Sequence, residues 1–132
     1  MYNAYQLTIK DENGQKVSVK LRLTLGGQKA LKKKYDEPAI TTLLNAVQDA
    51  EAMADVFNEA LNYSGNDNTI TDGEKLYDLL VDNKYKGIEA FTEVLMGIGE
   101  ASGLLSKEQA ESIVAASKGL VERAIEDEEK NL

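Results

Sequence analysis

Two stretches near the start of the chain alternate apolar and polar residues. Tyr5, Leu7 and Ile9 alternate with Gln6, Thr8 and Lys10, and Val17, Val19, Leu21, Leu23 and Leu25 alternate with Ser18, Lys20, Arg22 and Thr24. Successive side chains of a strand point to opposite faces, so a period of two predicts two half-buried strands. Between them lies Asp11-Glu12-Asn13-Gly14-Gln15. A two-residue Asn13-Gly14 turn would set Ile9 opposite Ser18 and Leu7 opposite Lys20, mixing apolar and polar side chains on one face. A three-residue loop, Glu12-Asn13-Gly14, with Gly14 in the left-handed conformation of a G1 bulge, instead pairs Ile9 with Val17, Leu7 with Val19 and Tyr5 with Leu21. The predicted hairpin occupies residues 1–25.

After Gly26-Gly27 the period changes to that of helices. Residues 28–35 read as a short helix, stopped by Asp36-Glu37-Pro38 because the residue before a proline is pushed out of helical geometry. Pro38 can open the next helix, with Ile40, Leu43, Leu44 and Val47 at helical spacing. Asp49 reads as a new N-cap ahead of Met53, Ala54, Phe57, Ala60 and Leu61. Whether residues 38–63 form one bent helix or two stays open. Ser64-Gly65-Asn66-Asp67-Asn68 is a cluster of turn formers, and Thr71 with Glu74 forms a capping-box pair ahead of Leu76, Leu79 and Leu80.

A further break at 84–87 precedes Ile88, Phe91, Val94, Leu95 and Ile98, a broad apolar arc opposite Glu89, Glu93 and Glu100. That helix is expected to be the most buried. Gly103 supplies a stop, and Ser106 with Gln109 starts a last helix carrying Ala110, Ile113, Val114, Leu120, Val121, Ala124 and Ile125. Its end is acidic, and carboxylates at a helix C-terminus oppose the macrodipole, so residues 126–132 are expected to fray. The predicted class is α+β: an N-terminal antiparallel β-hairpin, then a mostly helical body of five or six helices over residues 26–125. One domain of 132 residues accounts for the whole chain.

Charge adds a second pattern. The first 35 residues carry eight Lys/Arg against two Asp/Glu and the other 97 carry seven against twenty-one, so +6 and −14 make up the net −8. With no His and no Cys, the usual triads, zinc-thiolate sites and disulfides are unavailable, and no catalytic residue, cofactor or metal site is expected. No apolar run approaches the roughly 18 residues that span a bilayer, and the first residues lack a signal pattern. A cytoplasmic protein is expected.

Candidate chemistry narrows further on inspection. Gly26-Gly27-Gln28-Lys29 lacks the spacing of a phosphate loop, and residues 66–73 place Ile70 at a ligand position of a calcium loop. Glu89 and Glu93 fall on a solvated helix face, where nothing tunes them for acid–base work. What remains is recognition. Lys10, Lys16, Lys20 and Arg22 share the outward face of the hairpin, and Lys29, Lys32, Lys33 and Lys34 follow. They read as an ordinary solvated face or as a surface for an acidic protein partner or the acidic helices of a neighbouring subunit, ahead of nucleic acid, because no aromatic is interleaved with them. Gly97 and Gly99 inside a helix cost about 1 kcal/mol each relative to Ala, which close packing of another helix, from within the chain or from a partner, would explain. Candidate partner-binding residues are thus Lys10, Lys16, Lys20, Arg22, Lys32, Lys33, Gly97 and Gly99, with a homo-oligomer expected through the hairpin or the glycine-bearing helix.

The order of these features resembles the tail assembly chaperones of long-tailed bacteriophages and prophages. The resemblance is carried by the hairpin, Tyr5-Gln6-Leu7-Thr8-Ile9 and Val19-Lys20-Leu21-Arg22-Leu23-Thr24, then by Ala30-Leu31-Lys32-Lys33-Lys34-Tyr35, Pro38-Ala39-Ile40 and the helix from Asp49 through Ala60-Leu61. It continues through Gly73-Glu74-Lys75-Leu76-Tyr77-Asp78-Leu79-Leu80 to Phe91, Val94 and Leu95, and so covers nearly the whole chain. It rests on order and pattern, with no signature motif. The resemblance implies a small acidic protein without catalytic residues, made in the bacterial cell, that binds the tape measure protein and helps tail tube subunits assemble around it. It also implies a short form whose acidic end would be the attachment point of a frameshifted extension. Other classes in view are a head-tail or tail component of the virion, a small nucleic-acid-associated regulator and, last, an enzyme.

Overall fold

The period-two segments fold as the antiparallel hairpin of β1 (Tyr5–Lys10) and β2 (Lys16–Leu21). Its register pairs Tyr5 with Leu21, Leu7 with Val19 and Ile9 with Val17, as the alternation requires. The loop is the three-residue one. The Asp11 N–H donates to the Gln15 carbonyl at 2.8 Å, the Gly14 N–H donates to the Asp11 carbonyl at 3.0 Å, and Gly14 has φ +77°. A Cβ is disfavoured at that φ, so glycine fits there. The computed structural model describes the backbone of residues 3–130 and the side chains of residues 3–119.

Six α-helices follow: α1 (Leu25–Tyr35), α2 (Ala39–Asn45), α3 (Ala50–Leu61), α4 (Gly73–Asp82), α5 (Gly87–Ala101) and α6 (Lys107–Lys130). The stretch after Pro38 is two helices with a 3-10 turn, Ala46–Gln48, between them. The break falls at Asp49, which has extended backbone and accepts from the N–H groups of Glu51 and Ala52 at 3.0 and 3.3 Å. Satisfying first-turn donors in this way starts a helix. The predicted Ser106/Gln109 capping box is present in both directions: Gln109 N–H donates to Ser106 Oγ at 3.1 Å, and Ser106 N–H donates to Gln109 Oε1 at 2.9 Å.

Four local expectations are corrected. The strand pattern through Leu25 overruns the true end at Leu21, because Thr24 caps α1 and Leu25 opens it, 66% exposed. Gly26 and Gly27 lie in the first turn of that helix; Gly27 is buried, and a Cβ there would come within 3.6 Å of Glu59 on α3. The cap of α4 is Asp72 and not Thr71: Asp72 Oδ1 accepts from Glu74 N–H at 3.0 Å, while the Thr71 carbonyl accepts from Asn62 at 2.8 Å. The most buried helix is α3, with seven of twelve residues buried against seven of fifteen in α5, whose Ile88 is 44% exposed. The last helix, α6, spans Lys107–Lys130, and Asn131 and Leu132 lie outside the described residues.

The buried apolar residues form one cluster. The inner face of the hairpin contributes Leu7, Ile9, Val19 and Leu21, the helices add Leu31, Leu43, Val56, Phe57, Leu61, Leu76, Leu80, Val94 and Ile98, and Tyr77 stacks on Phe91 at 5.4 Å. Each fully buried large side chain contributes about 1.5–3 kcal/mol by leaving water, so this cluster holds strands and helices together.

Two asparagine side chains fasten the hairpin to the helical body. Asn68 accepts from the Lys20 N–H and donates to the Lys20 carbonyl, both at 2.8 Å, and donates also to the Leu61 carbonyl at 2.9 Å. Asn83 does the same on the other strand, accepting from the Lys10 N–H at 2.8 Å and donating to the carbonyls of Lys10 at 2.9 Å and Leu79 at 2.7 Å. A primary amide has the donor and acceptor of a peptide unit side by side, so each Asn acts as a one-residue strand at a hairpin edge.

Candidate protein-binding surfaces

The outward face of the hairpin carries Gln6, Thr8, Lys10, Lys16, Ser18 and Lys20, the polar half of the alternation, while Arg22 follows just past the end of β2 and is half-buried. Lys10 and Lys16 are directly opposite one another in the register. Like charges in that position repel, and neither lysine has an ion pair among the described residues. Lys20 is partly compensated by Asp67 at 3.2 Å, and Arg22 is tied to the Asn3 carbonyl by Nη1 at 2.9 Å. The basic face is therefore sharpest near the turn, at Lys10 and Lys16.

On α1, Lys29, Lys32 and Lys33 are exposed. Lys34 belongs to the fold, paired with Asp55 of α3 at 2.7 Å, and Tyr35 donates to the same carboxylate. Burial pushes the Asp55 carboxyl up, and the hydrogen bonds from Lys34 and Tyr35 more than reverse it, leaving it below its usual range. Lys32, Lys33 and Lys34 also stand in the last turn of α1, where cations suit the helix dipole.

The two helix glycines find their reasons inside the chain. A Cβ on Gly97 would sit 2.3 Å from the ring of Tyr5, so this glycine gives β1 its seat on α5. One on Gly99 would come within 2.8 Å of Leu43 and 2.9 Å of Leu105, and the residue is buried. Neither position needs a second molecule to explain it. Burial pushes the Tyr5 hydroxyl up to about 12, with Glu93 and Tyr85 adding to the effect.

The apolar surface that does stand open lies elsewhere. Leu44 at the end of α2 is 40% exposed and Ile88 at the start of α5 is 44% exposed; with Leu25 they are the exposed large hydrophobics of the described residues. Both border a groove of about 190 Å³ between the α2/3-10 segment, α5 and α6, lined also by Val47, Leu95, Met96 and Ile113. A wider groove of about 400 Å³ runs along the opposite flank of α6, where Tyr5, Gly97, Met96 and Val114 meet Glu93, Glu111 and Lys118. Between the two grooves α6 rests on α5 through a narrow stripe: Ala110 and Ser117 are buried, Ile113 and Val114 only half so. The two clefts lie on either side of this stripe.

Periodicity could not find the groove. Leu44 and Ile88 sit at core spacing in their helices, and only the packing of neighbours leaves them uncovered. No group of three or more His, Cys, Asp or Glu that could hold a metal occurs among the described residues, and no helix among them is long and apolar enough to cross a membrane. Comparisons with protein families, with curated proteins and with solved structures returned no match.

Proposed function

We propose that this chain is a non-enzymatic tail assembly chaperone of a phage or prophage, which binds a helical segment of the tape measure protein and helps recruit tail tube subunits. The observation that supports this reading most is the groove bordered by Leu44 and Ile88, together with the resemblance of the whole chain to that family. A long helical client presents apolar anchors at helical spacing, which fit a cleft between packed helices. The lysines near the hairpin turn and on α1 add charge complementarity to acidic stretches of such a client, favouring capture rate and orientation more than affinity.

The test is co-expression of the tagged chain with the product of the neighbouring long reading frame, the tape measure candidate, followed by affinity capture. Co-elution of the two at low salt is expected. Leu44→Glu with Ile88→Glu places charge in the groove at exposed positions that the fold tolerates, and should lower capture at least about tenfold, the scale of losing one hot-spot contact. Capture unchanged in the double variant would move the site away from the groove. Failure of the unaltered chain to retain any tail protein would sink the reading.

A further inference from the structure

Antiparallel pairing alternates along a strand: one residue points its N–H and C=O at the partner strand and the next points them away. The Asp11 N–H donates to the Gln15 carbonyl, so that pair faces inward. By alternation Lys10, Thr8 and Gln6 on β1, and Lys16, Ser18 and Lys20 on β2, present their peptide groups to the outer edges. The asparagine clamps agree, since Asn83 takes both peptide groups of Lys10 and Asn68 both of Lys20. The body of the protein thus closes one site on each edge, and the Arg22 N–H just beyond β2 donates to the Ala60 carbonyl at 3.0 Å. On β1 the outward N–H and C=O groups of Gln6 and Thr8 have no protein partner among the described residues. Buried peptide groups are almost always paired, so four groups without a partner among the described residues mark an edge available for pairing. The side chains of Gln6 and Thr8 are exposed as well.

We propose that this edge pairs with the same edge of a second copy of the chain, across a two-fold axis at Leu7, to make a four-stranded antiparallel sheet. In that register Gln6 of one copy exchanges both peptide hydrogen bonds with Thr8 of the other, and Thr8 with Gln6, so the four open groups of each copy are satisfied together. One patch meeting itself is what a two-fold interface requires. Charge selects both the edge and the occupant. From Tyr5 to Ile9 the strand is uncharged, and two copies approach without repulsion, whereas the β2 edge carries Lys16 and Lys20, the kind of residue that deters edge pairing. Asn83 over Lys10 stops the pairing at that end and so fixes the register. The contact is short, four peptide hydrogen bonds across one strand edge, so the pairing is weak and is sought at millimolar protein concentration. This inference rests on the hairpin geometry and is independent of the tail-chaperone reading.

The chain has no cysteine of its own, so single cysteines report the pairing directly. Purified Gln6→Cys and Thr8→Cys, mixed at roughly 1 mM under mild oxidation, should form the cross-linked dimer about fivefold or more faster than either variant alone, because only the mixture sets two cysteines at directly opposed positions within disulfide reach. Ser18→Cys, on the other edge, should cross-link no faster than random collision. Sedimentation equilibrium of the unaltered chain should show a concentration-dependent dimer. Thr8→Pro, which removes an outward N–H and no hairpin hydrogen bond, should abolish it while the helical circular dichroism is retained. A chain that stays monomeric up to 1 mM, a Thr8→Pro variant that dimerises equally well, or a mixture that cross-links no faster than Ser18→Cys would overturn the proposal. So would an effect of Thr8→Pro on client capture alone.

Discussion

The N-terminus of α4 presses on the middle of α3 more closely than any side chain would permit, and Gly73 is where they meet. A Cβ built there lies 2.0 Å from the Ala54 carbonyl oxygen, 2.6 Å from the Asn58 nitrogen and 2.9 Å from the Asn58 Cβ. Ordinary contact needs about 3.4 Å or more, so Gly73→Ala is short by more than an ångström. The obstructing atoms are mainly α3 backbone, which no rotamer change can move. Relief must come from displacing α4, which carries the buried Leu76, Leu79 and Leu80, and from stretching the 3.2 Å hydrogen bond from the Gly73 N–H to Asn58 Oδ1. Overpacking costs about 1–3 kcal/mol and the weakened hydrogen bond about 1, against a gain of up to about 1 for Ala over Gly in a helix. The net loss should be about 2–3 kcal/mol. Read by urea unfolding with a slope of about 1–3 kcal/mol/M, this lowers the midpoint by roughly 0.7–3 M. Gly26→Ala is the matched control: in the first turn of α1 its nearest neighbour would be Thr24 Oγ1 at 3.8 Å, and it should be neutral or stabilising by up to about 1 kcal/mol. A Gly73→Ala protein within about 0.5 kcal/mol of the parent, or a Gly26→Ala protein as damaged as Gly73→Ala, would refute the claim that close backbone approach dictates this glycine.

Other consequences are open to the same assay. Asn68→Ala removes three hydrogen bonds to main-chain groups and should cost about 2–3 kcal/mol, and Asn68→Asp, which keeps the acceptor and loses the donors, should not restore it. Asp49→Ala deletes the cap of α3 and should cost about 0.5–2 kcal/mol. In the alkaline range the sign follows from Tyr5. Its hydroxyl titrates at about 12 in the fold and at 10.0 in the free chain, so the stability it contributes is complete below pH 10 and is lost as the pH rises towards 12. Tyr35 is shifted in the same direction by burial and by its bond to Asp55, so Tyr5→Phe should make the decline between pH 10 and 12 shallower without removing it.

The basic hairpin face was legible because alternation alone decides which side of a strand a residue occupies: Lys10, Lys16 and Lys20 all point outward, whereas Arg22 lies past the end of β2 and is half-buried. Their individual standing was not legible. Asp67 partly compensates Lys20 from 47 residues away, while Lys10 and Lys16 are left facing each other. The groove is the converse case, since Leu44 and Ile88 carry the spacing of core residues yet are 40% and 44% exposed, which no spacing along their own helices announces.

What the sequence determined by itself is local. The hairpin register follows from period two and one loop length, the end of α1 from Pro38, and the starts of α3 and α6 from Asp49 and Ser106 with Gln109. Each depends on sterics or hydrogen bonds between residues a few positions apart, which composition and spacing encode directly. Tertiary structure decided the rest: that Asn68 and Asn83 reach 48 and 73 residues back to hold the strand edges, that Gly73, Gly97 and Gly99 each admit a neighbour from another element, and that Leu25 faces solvent. These depend on which surfaces meet, and a one-dimensional period carries the direction of a side chain without the identity of what lies opposite it.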